Sequence, residues 1–228
     1  MKRIGILLSG CGVYDGAEVQ ESVLTMLAIE EVEAEYFCIS IDKLQHHTVN
    51  HLTGEEEVNN RNMLVESARI ARGNVIDISK VDLREMDALV IPGGFGSAKN
   101  FTNWAFEGSG CKVLPEIKLL LVNLFNIGKP ILALCVSPVV LAKAFEGGDF
   151  KSKLTIGSTS TPSPFDIKSF MDGMENIGVD VKEKNINEIQ IDIKNKIITA
   201  PCYMMNANIL DIRKNIKMGV EALIKLIN

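Results

Sequence analysis

Short apolar runs that end in turn residues alternate with amphipathic stretches along this chain, and that alternation constrains its fold more than any other feature. Residues 3–10 read RIGILLSG, a continuous apolar run of the kind a buried parallel strand carries. A Gly-rich turn and a helix from about 16 to 32 follow it. AEYFCIS (34–40), NVIDIS (74–79), DALVIPGG (87–94) and PILALC (130–135) read as further strands. Between them, RNMLVESARIAR (61–72) carries apolar residues at 63, 64, 68, 70 and 71, roughly one helical face. LPEIKLLLVNLFNIG (114–128) reads as a helix, with Pro115 near its start, Gly128 closing it and Pro130 beyond. The polar segment 42–60 lacks steady periodicity and reads as a long loop. EIQIDIKNKIITAP (188–201) predicts a hairpin turning at Lys194-Asn195, and 206–228 a closing helix. Strands alternating with helices of this length predict an α/β sandwich around a mainly parallel sheet. With no repeat, low-complexity tract or clear linker, 1–228 is expected to form one domain.

Composition narrows the function classes. The chain is 46% hydrophobic and 23% charged, as ordinary globular proteins are, and its net charge of −5 argues against nucleic-acid or anionic-membrane partners. Cys11, Cys38, Cys111, Cys135 and Cys202 form no CxxC pair, which points to reduced thiols and a cytoplasmic setting and against a disulfide framework or zinc site. The start, MKRIGILLSGC, resembles a lipoprotein cleavage box. Its apolar run from Ile4 to Leu8 is shorter than the ~7–15 residues of a signal core, so secretion is not expected. No stretch approaches the ~20 apolar residues of a membrane span.

In parallel α/β sheets, ligands sit beyond the carboxyl ends of the strands. That rule selects the turns at 9–16, 92–96 and 135–138. The third holds Ala133-Leu134-Cys135-Val136-Ser137, a relaxed form of the small-x-nucleophile-x-small elbow, with Pro138 suited to a first helical turn. A cysteine there meets the positive end of a helix dipole, which is expected to lower its thiol pKa. The Val136 N–H would face a developing oxyanion, with a second donor from Gly93 or Gly94. The competing possibility is that Cys135 is one more small hydrophobe in a core.

His46, His47 and His51 all precede the cysteine in one loop, so a triad with histidine following the nucleophile is impossible. Glu18 and Glu21, three apart near the start of the first helix, share a face and are candidate proton carriers, or else they simply complement the helix dipole. A metal site at His47, His51 and Glu55 is disfavoured because Thr53-Gly54 interrupt any helix there. Cys11 is more readily a loop cysteine without a role than a resolving thiol for Cys135. The apolar residues over 165–174 suit core or a dimer surface. Gly10, Gly12 and Gly16 with Asp42 only approximate a dinucleotide fingerprint, the third glycine falling one place late.

The blocks SGCGVYDGAEVQESV, NHLTGE, RNMLVESARIARG, DALVIPGGFGSAKN and GKPILALCVSP resemble the enhancing lycopene biosynthesis family. Its members are also called isoprenoid biosynthesis glyoxalases or sigma cross-reacting proteins. They form a branch of the class I glutamine amidotransferase-like superfamily that also holds PfpI-type proteins. The resemblance spans nearly the whole chain and implies a flavodoxin-like sandwich whose elbow cysteine falls on Cys135. It further implies weak, glutathione-independent and cofactor-free conversion of small dicarbonyls such as glyoxal to hydroxy acids, with Glu21 or Glu18 as proton acceptor, and a homodimer. The chain departs from the family in reading Val-Ser-Pro after Cys135, where Ile-Ala-Pro is usual, and in Cys202, where alanine is usual. The alternative function is a non-catalytic regulator whose cysteine senses oxidants or electrophiles.

Overall fold

The computed structural model describes residues 1–147 and 151–227. Its strands and helices are, in order, β1 (Arg3–Leu7), α1 (Val19–Glu31), β2 (Glu35–Ser40), α2 (Met63–Ile70), β3 (Val75–Asp77), β4 (Ala88–Ile91), α3 (Trp104–Glu107), α4 (Pro115–Asn126), β5 (Ile131–Leu134), α5 (Pro138–Ala144), β6 (Lys153–Leu154), α6 (Ile167–Asn176), β7 (Asp180–Val181), β8 (Gln190–Asp192), β9 (Ile197–Ala200) and α7 (Ile209–Leu226). Seven strands form one sheet in the order β3-β2-β1-β4-β5-β9-β8. Every neighbouring pair is parallel except the β8–β9 hairpin.

This is the mostly parallel, helix-flanked sheet that the alternation predicted, in the flavodoxin-like arrangement that the family resemblance implied. The central strands β4, β5 and β9 are buried along their whole length, which is why they read as unbroken apolar runs. Helix α1 packs on α7, where Glu31 pairs with both Arg213 and Lys217, and α4 packs on α5. Packing over β1 is tight: a Cβ at Gly5 would lie 2.3 Å from Met86 Sδ and 2.9 Å from Ile39 Cδ1.

Several boundaries differ from the sequence expectation, each for a local reason. Helix α1 starts at Val19 rather than near 16, because Glu18 has extended backbone and caps it. Strand β3 stops at Asp77, whose carboxylate caps the next helical turn. Helix α7 starts at Ile209, capped by the Asn208 side chain. The small β6–β7 sheet lies outside the alternation, and two-residue strands are too short to show a period. Segment 165–174 is largely core: Ile167 and Met174 of α6 are buried, with Phe165, Phe170 and Met171 packed beside them.

Filling the Gly5 site with one methyl group, Gly5→Ala, is expected to destabilise the protein by ~1–3 kcal/mol through overpacking. Gly110→Ala, at an exposed position with nothing within 4 Å of the added carbon, should change stability by less than ~0.5 kcal/mol. Urea unfolding of both variants checks this, and equal losses would contradict it.

Candidate active site

Strands β1, β4, β5 and β9 are consecutive neighbours running in one direction, so the turns that follow them meet at one edge of the sheet. The chain leaves β1 toward β2 on one side while β4 lies on the other, which makes this edge the topological switch point. Cys135 is the first residue after β5. Its N–H donates to Ala200 O of β9 at 2.9 Å, and its backbone then enters the left-handed region at φ +57°. A side-chain-bearing residue held there costs ~1–3 kcal/mol and persists only where its surroundings over-determine it. Several contacts do so. The Ser137 hydroxyl donates to Pro92 O at 2.5 Å and lies 2.8 Å from Ser97 Oγ, tying the elbow to the turn after β4. Both neighbours two positions away, Ala133 and Ser137, are small and buried.

Glu21, in the first turn of α1, completes the site. Its carboxyl is fully buried, hydrogen-bonded to the Cys135 thiol, and accepts the Gly93 N–H at 2.8 Å and the Tyr203 N–H at 3.3 Å. Gly93 is what allows the approach: a Cβ there would lie 2.4 Å from Glu21 Oε2 and 2.8 Å from Cys135 Sγ. Glu18 plays another part. Its carboxylate caps α1 by accepting the Glu21 N–H at 2.5 Å, while its own N–H donates to Gly93 O at 2.9 Å. Spacing alone left the two acids equivalent; the fold puts Glu21 against the sulfur and Glu18 one hydrogen bond behind it.

Burial first, and then the neighbouring Glu18 charge, raise the Glu21 pKa to about 8. Glu21 is therefore mostly protonated at pH 7. The expectation of a lowered Cys135 pKa is overturned. Burial and the adjacent Glu21 push the thiol well up, and the Gly94 and Val136 N–H groups beside the sulfur offset only part of this. Helix α5 has seven residues, too short a dipole to reverse the cost of removing a thiolate from water. The expected donor set also changes. Gly94 (φ +95°) and Val136 present N–H groups to the sulfur, whereas the Gly93 N–H is committed to Glu21.

The remaining candidates lie elsewhere or act as structure. The charged groups that bear on Cys11 are Glu66, Arg69, Asp15 and Arg61, none of which bears on Cys135. His51 accepts the Tyr14 N–H at 3.3 Å and lies 3.9 Å from Asp15, and His47 lies 3.6 Å from Glu56. Among the described residues, no group of three or more His, Cys, Asp and Glu side chains is arranged to hold a metal ion. The Gly10–Gly16 turn closes on itself through Gly16 N–H to Gly12 O, and Gly96 N–H donates to Gly16 O, so its glycines serve loop packing rather than an open phosphate cradle. The Asp42 carboxylate accepts from the Asn62 side-chain amide. Two functional positions escaped the sequence reading. The Tyr203 N–H reaches Glu21 because buried Asn215 on α7 accepts the preceding Cys202 N–H at 3.0 Å and holds that turn. The only hint was the Pro201-Cys202 pair after a strand.

A solved structure from Ehrlichia chaffeensis, described as an isoprenoid biosynthesis protein with amidotransferase-like domain, covers 100% of both chains at 33% identity and a TM-score of 0.90. The rat ES1 protein homolog, mitochondrial, is 33% identical over 226 residues, 98% of this chain and 84% of its own length. This chain belongs to the ES1 family of amidotransferase-like proteins. The human glutamine amidotransferase-like class 1 domain-containing protein 3, mitochondrial, is likewise 33% identical, over 98% of this chain and 83% of its own length. No protein-family model matches the chain.

The ES1 relatives correct one expectation. Their names place them in mitochondria, which overturns a purely cytoplasmic assignment. Free thiols separate reducing from oxidising surroundings and do not distinguish one reducing compartment from another. Among the described residues of this ES1-family chain, no helix is long and apolar enough to cross a membrane.

The buried acid has a thermodynamic signature. Between pH 4.5, its ordinary value, and about 8, the unfolded chain has ionised Glu21 while the folded chain keeps it protonated. Native stability should therefore fall as pH rises through that window, by up to ~1.4 kcal/mol per pH unit from this group alone. In Glu21→Gln that contribution is gone, so the variant's stability relative to wild type should improve steadily from pH 5 to 8. Chemical denaturation across that range checks it, and a gap independent of pH would contradict a buried neutral acid.

Proposed function

We propose that this protein converts small dicarbonyls such as glyoxal to hydroxy acids without glutathione, through a covalent intermediate on Cys135. The observation that carries the proposal is the hydrogen-bonded Cys135–Glu21 pair, with a carboxyl whose pKa of about 8 suits proton transfer near neutral pH. Because burial raises the thiol's pKa, the nucleophile is made at the moment of attack rather than stored as thiolate. Ionised Glu21 takes the thiol proton as Cys135 Sγ bonds to one aldehyde carbon. The Gly94 and Val136 N–H groups face the oxygen that gains charge. Glu21 returns the proton to that oxygen, giving a hemithioacetal. It then removes the C–H proton from the carbon bonded to sulfur and delivers it to the adjacent carbon through an enediol. The product is a hydroxyacyl thioester, which water cleaves to glycolate and the free thiol. Glyoxal plus water becomes glycolic acid, with no oxidant consumed.

Cys135→Ser should abolish turnover of glyoxal to glycolate in a steady-state assay. Glu21→Gln should lower kcat by ~100-fold or more, and should remove the rise in kcat/KM that the wild type shows as pH approaches 8. Glu18→Gln, which keeps an oxygen able to accept the Glu21 N–H, should retain most activity. Unchanged turnover in Cys135→Ser would end the proposal.

The proposal includes a homodimer. What supports it is an apolar row on α1, where Val19, Val23 and Leu27 stand four residues apart and exposed. Sedimentation should give a dimer for the wild type and a monomer for Val23→Glu; a monomeric wild type would refute this part.

A further inference from the structure

Cys202 is a second thiol at the site, one for which the dicarbonyl reaction has no use. Parallel register pairs Leu134 with Ala200, and the next N–H, that of Cys135, donates to Ala200 O at 2.9 Å. Cys135 thus stands one residue beyond this paired position on β5, and Cys202 two beyond it on β9. Neighbouring strands run ~4.8 Å apart, and a disulfide spans ~4.4–6.8 Å between Cα atoms. The strand ends therefore place the two cysteines next to one another at this edge of the sheet. The Cys135 N–H also lies against the Cys202 sulfur. Both side chains are buried, at 5% and 0% exposure.

Backbone conformation singles out Cys202 further. It sits at φ +44°, a left-handed turn that glycine takes freely and that costs other residues ~1–2 kcal/mol. Asn215 holds the turn through the Cys202 N–H, a bond that any residue but proline would provide. A thiol thus stands where the backbone alone would favour glycine; it donates to Asn215 Oδ1 at 3.5 Å and lies beside the Cys135 N–H.

We infer that Cys135 and Cys202 form a reversible disulfide when a hydroperoxide reaches the site, with Cys202 as the resolving thiol. In the first step Cys135 sulfur attacks the terminal peroxide oxygen and the O–O bond breaks. The departing alcohol or water takes up a proton, and Cys135 is oxidised by two electrons to its sulfenic acid. In the second step Cys202 sulfur bonds to Cys135 sulfur, the sulfenic oxygen leaves as water, and the Cys202 proton leaves with it. Two thiols and one hydroperoxide become one disulfide, one alcohol (or water) and one water. Dithiol reductants restore both thiols. Glu21, bonded to Cys135, is the nearest acid for both proton transfers. Because Cys202 intercepts the sulfenic acid, Cys135 is protected from the irreversible sulfinic state.

The test uses the full chain and hydrogen peroxide, with excess peroxide removed and intact mass read without reductant. Wild type should lose two hydrogens, yield a peptide joining Cys135 to Cys202, and return to its starting mass with dithiothreitol. Cys202→Gly accepts the left-handed turn without strain. It should show no such loss, give a dimedone adduct at Cys135, and proceed to a gain of two oxygens. Three outcomes would overturn the inference: a wild type that over-oxidises as fast as Cys202→Gly, a bridge between other cysteines, or a wild type unaltered by peroxide. None of these readings depends on dicarbonyl turnover, so failure here and failure of the proposed reaction are separable.

Discussion

A carboxyl group sealed from water and hydrogen-bonded to a thiol is the interaction on which the rest of this site depends. Removing a carboxylate from water is costly, and the group responds by keeping its proton. Two backbone N–H groups and the thiol compensate part of that cost, and each requires a particular local structure. The Gly93 N–H requires a residue without a side chain, because a Cβ would occupy the space between acid and sulfur. The Tyr203 N–H requires the left-handed turn at Cys202 that Asn215 stabilises. The thiol requires the left-handed elbow that the Ser137–Pro92 bond ties to the turn after β4.

The sheet order explains why one small cluster draws on four separated segments. With β1, β4, β5 and β9 side by side and parallel, residues 21, 93, 135 and 203 converge although 182 positions separate the outermost pair. Glu18 links the site to helix formation. Its side chain fixes where α1 begins and hence where Glu21 points, and its charge raises the pKa of the acid it positions.

Much of this was legible in the sequence because burial leaves a period. Continuous apolar runs marked the covered strands, and the turns after three of them marked the switch point. Small residues around Cys135 marked the elbow. What the sequence concealed depends on tertiary contact. A three-residue spacing puts Glu18 and Glu21 on one helix face and cannot say which one meets the sulfur. The dipole argument for a lowered thiol pKa was local, whereas the deciding influences, burial and Glu21, come from other segments. The commitment of the Gly93 N–H to Glu21, and the role of Asn215 beneath Cys202, have no sequence signature at all. The two-residue strands β6 and β7 were invisible for a simpler reason, being shorter than any period.

The protonation state of Glu21 is the central claim, and carboxyl carbon-13 NMR of protein labelled at glutamate tests it most directly. Assigned by comparison with Glu21→Gln, the Glu21 resonance should show a protonated carboxyl at pH 7 and titrate with a midpoint near 8, as its burial beside Glu18 requires. A midpoint in the ordinary carboxylate range would mean a solvated, charged acid, and the coupled thiol–acid account of this site would fail.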